Sequence, residues 1–245
     1  MLQYSWSSPQ AIGEEIPQWQ QEGACALSSA DWPQNLENTC VNSAVVDEAN
    51  RASDEKTKKK NVVWVYLKPG VVYEGQLVVS EGQHVVITSD SSEHAVLRHF
   101  TSSPYEPVVK VLTGGILELS HVTLSHSSPS VASNYAVEVG YQASLDCFGT
   151  EITSETGSGV CVLGGRAKIE SCVIKNCKEH GIACYDDLES EQGSVVTIRD
   201  SVIEGCKGYG IQARGEDVQV SVSASRLSKN KDEIKMLQGA TVKVT

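Results

Sequence analysis

An internal repeat constrains this chain more than any other feature of its sequence. Five blocks share one frame: Leu119-Ser-His-Val122-Thr-Leu124, Cys147-Phe-Gly-Thr150-Glu-Ile152, Ile169-Glu-Ser-Cys172-Val-Ile174, Ile198-Arg-Asp-Ser201-Val-Ile203 and Val222-Ser-Ala-Ser225-Arg-Leu227. Their last residues fall at 124, 152, 174, 203 and 227, in steps of 28, 22, 29 and 24. A second anchor follows each block, at Val137, Gly159-Val160, Gly181-Ile182, Gly210-Ile211 and Ile234. Two repeats agree more closely still, Ile174-Lys-Asn-Cys177-Lys-Glu-His-Gly181-Ile182 and Ile203-Glu-Gly-Cys206-Lys-Gly-Tyr-Gly210-Ile211. Short alternating apolar runs, broken by Gly, Ser and Asn at this period, predict a coil of three strands and three turns. Leucine-rich repeats have similar lengths, but their Leu-x-x-Leu-x-Leu frame and its Asn do not recur here. One coil alone leaves its apolar inner face in water. Stacking coils buries it and lines the inward residues into ladders. The predicted ladders are Leu119, Ile169, Ile198 and Val222, and Leu124, Ile152, Ile174, Ile203 and Leu227.

Upstream, residues 62–67, Tyr73-Glu74 with residues 77–79, and residues 85–87 read as three strands separated by two tight corners, one full coil. Residues 1–60 differ. They hold Trp6, Trp19 and Trp32, and Asp31-Trp32-Pro33 has the form of a helix start. Leu36, Cys40, Ala44, Val45 and Ala49 then keep a helical spacing. An amphipathic helix over 33–52 is predicted, placed to close the open end of the core. Residues 56–60, Lys-Thr-Lys-Lys-Lys, read as a solvated basic linker, with a localisation signal as the alternative. The division is thus 1–60, with the capping helix and linker, and 61–245, the β-helix. Residues 240–245 restart the repeat, with Val244 in register with Val222. An open last coil exposes strand edges, so self-association through it, or a longer parent protein, is expected.

The net charge of −11 excludes a general nucleic-acid binder, because phosphate contacts need surplus Lys and Arg. No apolar run approaches the roughly 20 residues that span a bilayer, so no membrane partner is expected. The first residues lack the pattern of a secretory signal, so a cytoplasmic or nuclear chain with reduced thiols is expected. Of eight cysteines none forms a C-x-x-C. Cys177 aligns with Cys206 one repeat on, and small buried thiols in a ladder account for them better than zinc or disulfides. No metal and no cofactor is expected. His121 and His126 are read as pointing to opposite faces of one repeat.

The predicted helix, the first strand, Lys68-Pro69-Gly70, Tyr73-Glu74 and Leu77-Val78-Val79 resemble the opening coil of the pectin-lyase-like superfamily. The Gly-Ile and Ile-x-x-Cys-x-Ile elements are similar to its carbohydrate-binding and sugar-hydrolase-like repeats. The resemblance covers residues 30–245 and implies an all-β solenoid, a right-handed parallel β-helix with an N-terminal helical cap. That superfamily includes polysaccharide-active enzymes, and also intracellular proteins such as β-helix F-box proteins and Shc-binding proteins, so fold alone does not fix function. Of the polygalacturonase pattern only an Asp-Asp pair, Asp186-Asp187, is present. A lyase-type Ca²⁺ site with a basic residue finds its nearest material in Asp186, Asp187, Glu189 and Glu191 with Arg199 or Lys207. His180 aligns with Tyr209 and Lys178 with Lys207, forming a short outward stripe. The reading that follows is a non-catalytic β-helix scaffold that binds a protein partner. The alternative is a carbohydrate-binding or polysaccharide-cleaving protein, carried under that reading by Asp186, Asp187, Arg199 and Lys207.

Overall fold

The structure, a computed structural model, describes residues 62–129, 134–186 and 193–245, together with the backbone strand Cys25–Ala26. Every strand in it pairs in parallel with the equivalent strand one coil away. Three sheets result, here called A, B and C, of nine, seven and seven strands. Chain order runs A, B, C and back to A, so each circuit is one coil. Cys25–Ala26 is the first strand of sheet A and pairs with Val62–Tyr66, while Val72–Glu74 opens sheet B and Leu77–Val79 opens sheet C. Thr241–Val244 closes sheet A, Arg226–Ser228 sheet B and Asp232–Leu237 sheet C. The predicted capping helix over 33–52 and the linker at 56–60 lie outside the described residues. Among the described residues no helix is long and apolar enough to cross a membrane.

The register follows the repeat frame. In sheet A, Leu119, Cys147, Ile169, Ile198 and Val222 pair in succession and are all buried. In sheet B the column is Leu124, Ile152, Ile174, Ile203 and Leu227. In sheet C it is Val137, Val160, Ile182, Ile211 and Ile234. Three aliphatic columns facing one another make a continuous core, which no single coil possesses.

The unequal steps of the repeat are absorbed at the corners. Between sheets A and B the chain turns on one left-handed residue, at His121, Gly149, Ser171, Asp200 and Ala224, with φ between 47° and 56°. The next side chain turns inward and stitches the coils. Cys172 N–H donates to Ser201 Oγ, and Ser201 N–H to Ser225 Oγ, each at 3.1 Å. Each hydroxyl donates to the carbonyl two residues back in its own coil, both at 2.7 Å. The backbone N–H groups that follow the exposed corner residues Ser171 and Asp200 are thereby satisfied by the next coil.

The recurrent Gly before the sheet C anchor has a steric cause. A Cβ at Gly159 would meet the Gly181 carbonyl oxygen at 2.6 Å and Ile174 Cγ2 at 2.7 Å. At Gly181 and Gly210 the carbonyl of the following coil stands at 2.7 Å. No side chain fits where the coils approach this closely.

All six described cysteines are free and buried. Cys147, Cys172, Cys177, Cys184 and Cys206 turn into the core, as the ladder reading expects. Cys161 does not: it lies in the outward column of sheet C, between Glu138 and Ala183, yet is fully buried. Burial lifts the Cys172 thiol to about 11 and the Cys184 thiol to about 12. A hydrogen bond to Cys206, then burial, holds the Cys177 thiol up. Thiolate is the reactive form, so the raised thiols should be inert, and Cys206, lowered by its bond with Cys177, is protected by burial alone. In the folded chain a thiol reagent near neutral pH should label no more than the two cysteines outside this set, Cys25 and Cys40. The remaining six should react only on unfolding, and rapid native labelling of four or more would contradict the packing described.

Candidate functional site

The sequence-predicted site residues that the structure describes do not converge. Asp186 ends the sheet C strand Ile182–Tyr185 and turns toward the backbone N–H groups of Glu216 and Asp217, one coil on. Burial, then the Asp217 charge, pushes its carboxyl above the ordinary value. Asp187 lies outside the described residues, as do Glu189 and Glu191. Arg199 sits at the corner between sheets A and B, where its Nε donates to Asp200 at 3.0 Å. Lys207 is exposed at the corner between sheets B and C. Asp186, Arg199 and Lys207 thus occupy three different corners and form no common site.

The outer face of sheet C brings together a different set. His180 and Tyr209, in successive coils, stack with centroids 5.2 Å apart and planes 14° from parallel. The Tyr209 N–H donates to His180 Nδ1 at 3.0 Å, and the Lys231 ammonium lies 5.6 Å from the Tyr209 ring. His180 also hydrogen-bonds Gln212, which accepts from the Tyr185 hydroxyl at 3.5 Å. Tyr135 hydrogen-bonds the Cys161 sulfur. Cys161 and Ala183, both buried, form a floor of small residues in the outward column between Glu138 and Gln212. Burial raises the Tyr185 phenol to about 12, so it stays a neutral donor. The result is a half-buried aromatic face spanning several coils. The stripe of His180 and Tyr209 was legible from the repeat; Tyr135 and Tyr185 were not.

Sheet A carries a second group of side chains on its outer face. It is a column of acidic and basic side chains that the sequence analysis did not single out. Glu118, Asp146 and Lys168 are successive members of one outward column. His84 Nε2 lies 2.7 Å from Glu118 Oε1, and Lys168 Nζ 2.9 Å from Glu170 Oε2. Asp146 stands between these pairs, in a shallow depression shared with Phe148, Lys168 and Glu170. Burial, then Glu118, raises its carboxyl above the ordinary range, against Lys168 and His84. Each member of this column immediately precedes an inward anchor: Glu118 before Leu119, Asp146 before Cys147, Lys168 before Ile169. Stepping one residue back from each anchor would have found it. Among the described residues no three His, Cys, Asp or Glu side chains are arranged to hold a metal ion.

Comparison with known proteins agrees with the coil geometry. Among solved structures the chain is similar to a pectin methylesterase in complex with a hexasaccharide, at 13% identity and a TM-score of 0.51. That match covers 85% of this chain and 66% of the other, so the chain spans just under two thirds of that length. It is also similar to an alginate lyase from Paenibacillus sp. str. FPU-7, at 11% identity and a TM-score of 0.36, covering 90% of this chain and 99% of the other. No curated protein matches. At these identities the likeness to the esterase speaks to fold alone. The model of the right-handed beta helix region matches residues 85–245, well over half of the sequence and all of the later coils. Parallel sheets, repeat register and family match agree, and the chain belongs to the right-handed β-helix family.

Proposed function

We propose that this chain is a non-catalytic β-helix scaffold that binds a protein partner through the outer face of sheet C. The observation that carries this is the aromatic face of Tyr135, His180, Tyr185 and Tyr209 around Cys161 and Ala183. Aromatic side chains offer large contact area at low conformational cost, and they dominate the energetics of protein interfaces. The parallel coils hold them at the interstrand spacing of about 4.8 Å, so little ordering remains for binding to impose.

A second reading, carbohydrate binding or cleavage, is favoured by Asp146 on sheet A. A carboxyl raised by burial between acidic and basic neighbours has the character of a general acid. One set of variants separates the two. Proteins captured by the parent chain should be lost with the double variant Tyr185→Ser, Tyr209→Ser and retained with Asp146→Asn. Pectin, polygalacturonate and alginate, with and without Ca²⁺, should yield neither reducing ends nor unsaturated products. Polysaccharide turnover abolished by Asp146→Asn or Asp186→Asn would replace the scaffold reading with the second one.

A further inference from the structure

We infer that His180 is an acid-released latch, whose imidazole holds the turn 207–209 of the next coil only while it is neutral. The Tyr209 N–H points at Nδ1 from 3.0 Å, so Nδ1 must present its lone pair. The single ring hydrogen then sits on Nε2, on the side that meets Gln212. A second proton would set two N–H groups against each other across the Nδ1 contact. The ring lies close over this turn: a Cβ on Gly208 would stand 2.5 Å from Nδ1, so only glycine leaves it that place. Relief therefore requires the imidazole to leave its stack on Tyr209, or the turn to lift.

The surroundings favour the neutral ring. In its own turn Glu179 adjoins it, with its carboxyl raised by burial. From the next coil it meets Tyr209, Gln212 and the turn bearing Lys207, and from the coil beyond, Lys231, with Asp232 in register beside Tyr209. From the preceding coil Ser158 Oγ accepts the His180 N–H at 3.2 Å. Burial, opposed by the Gln212 hydrogen bond and aided by the Lys231 charge, holds the imidazole below its ordinary value of 6.5. The latch is thus closed at neutral pH and opens on acidification. Control of partner binding by this latch rests on the reading of sheet C as the binding face; the latch itself does not.

The test uses the free chain, so failure of the binding proposal leaves it intact. In a ¹⁵N–¹H NMR titration from about pH 7.5 to 4.5, the His180 ring should gain its proton below 6.5. The Tyr209 amide should shift with the same midpoint. It should also lose roughly fivefold to tenfold of its exchange protection, after allowance for intrinsic rates, which is the effect of one backbone hydrogen bond. In His180→Gln, which keeps an acceptor but no titrating group, the Tyr209 amide should be insensitive to pH over that range. A Tyr209 amide that keeps its shift and protection while His180 protonates overturns the latch. So does a His180 midpoint above 6.5.

Discussion

Ile198→Asp should abolish the cooperative thermal transition of this chain or bring it close to ambient temperature. Ile198 is fully buried, with Ile169 and Val222 as its neighbours along the column. The new carboxylate would meet aliphatic side chains above and below and no polar partner in the column. It would either remain charged at heavy desolvation cost or protonate at a cost set by its shifted equilibrium. A loss above about 4 kcal/mol is expected, which is much of the stability of an ordinary domain. The solenoid sharpens the effect. Each coil is stabilised by its two neighbours, so a failed central coil separates the two halves of the core. Thr197, one residue back, is exposed on the outer face. Thr197→Asp should therefore change stability by no more than about 0.5 kcal/mol. Circular-dichroism melts of the two variants test the alternation directly. An Ile198→Asp chain that melts like its parent would mean that the register is wrong.

The inward half of this structure was legible in the sequence because burial leaves a chemical mark. Aliphatic residues recur at fixed offsets, and the Gly of each Gly-Ile element marks a place where the next coil's carbonyl excludes a side chain. The outward half leaves no such mark. Glu118, Asp146 and Lys168 share a column, but they differ in charge and are 28 and 22 residues apart, so no composition rule groups them. Asp186-Asp187 is the one Asp-Asp pair, yet the Asp186 carboxyl faces backbone N–H groups some 30 residues later, with its Oδ1 left unpaired. That use depends on how the coils stack. Cys161 shows the same limit from the other side: its type suggested the core, and its outward position became buried only because Tyr135 and neighbouring groups cover it. His126 was placed on a face by spacing alone. Its partners come from segments 20 residues before and 28 after it.

Those partners make His126 the main source of an expected acid sensitivity. It is fully buried at the end of the sheet B strand Val122–Ser127. Its Nε2 donates to the Glu106 carbonyl at 3.0 Å, which leaves Nδ1 to accept from the Ser154 hydroxyl at 2.9 Å. Protonation of Nδ1 leaves the Nε2–H bond to Glu106 in place but breaks the Ser154 contact, because Ser154 Oγ would have to accept where it now donates. Burial lowers the imidazole from 6.5 to about 4. In the unfolded chain the same ring protonates near its ordinary value, so between these two pH values the unfolded state binds more protons. Stability is therefore full above pH 6.5 and falls as the pH drops toward 4. A shift of this size corresponds to about 3 kcal/mol lost across the window. His121 and His180, also lowered by burial, act in the same sense, while Asp146, raised by burial, acts against it. A comparison isolates the His126 share. His126→Gln should be less stable than the parent at neutral pH, but should lose about 3 kcal/mol less on acidification, read from urea midpoints at several pH values. The His126 ring of the parent, followed by NMR, should stay neutral until the pH nears 4. Equal pH slopes for parent and variant, or a His126 ring that protonates near 6.5, would remove the buried imidazole as the cause.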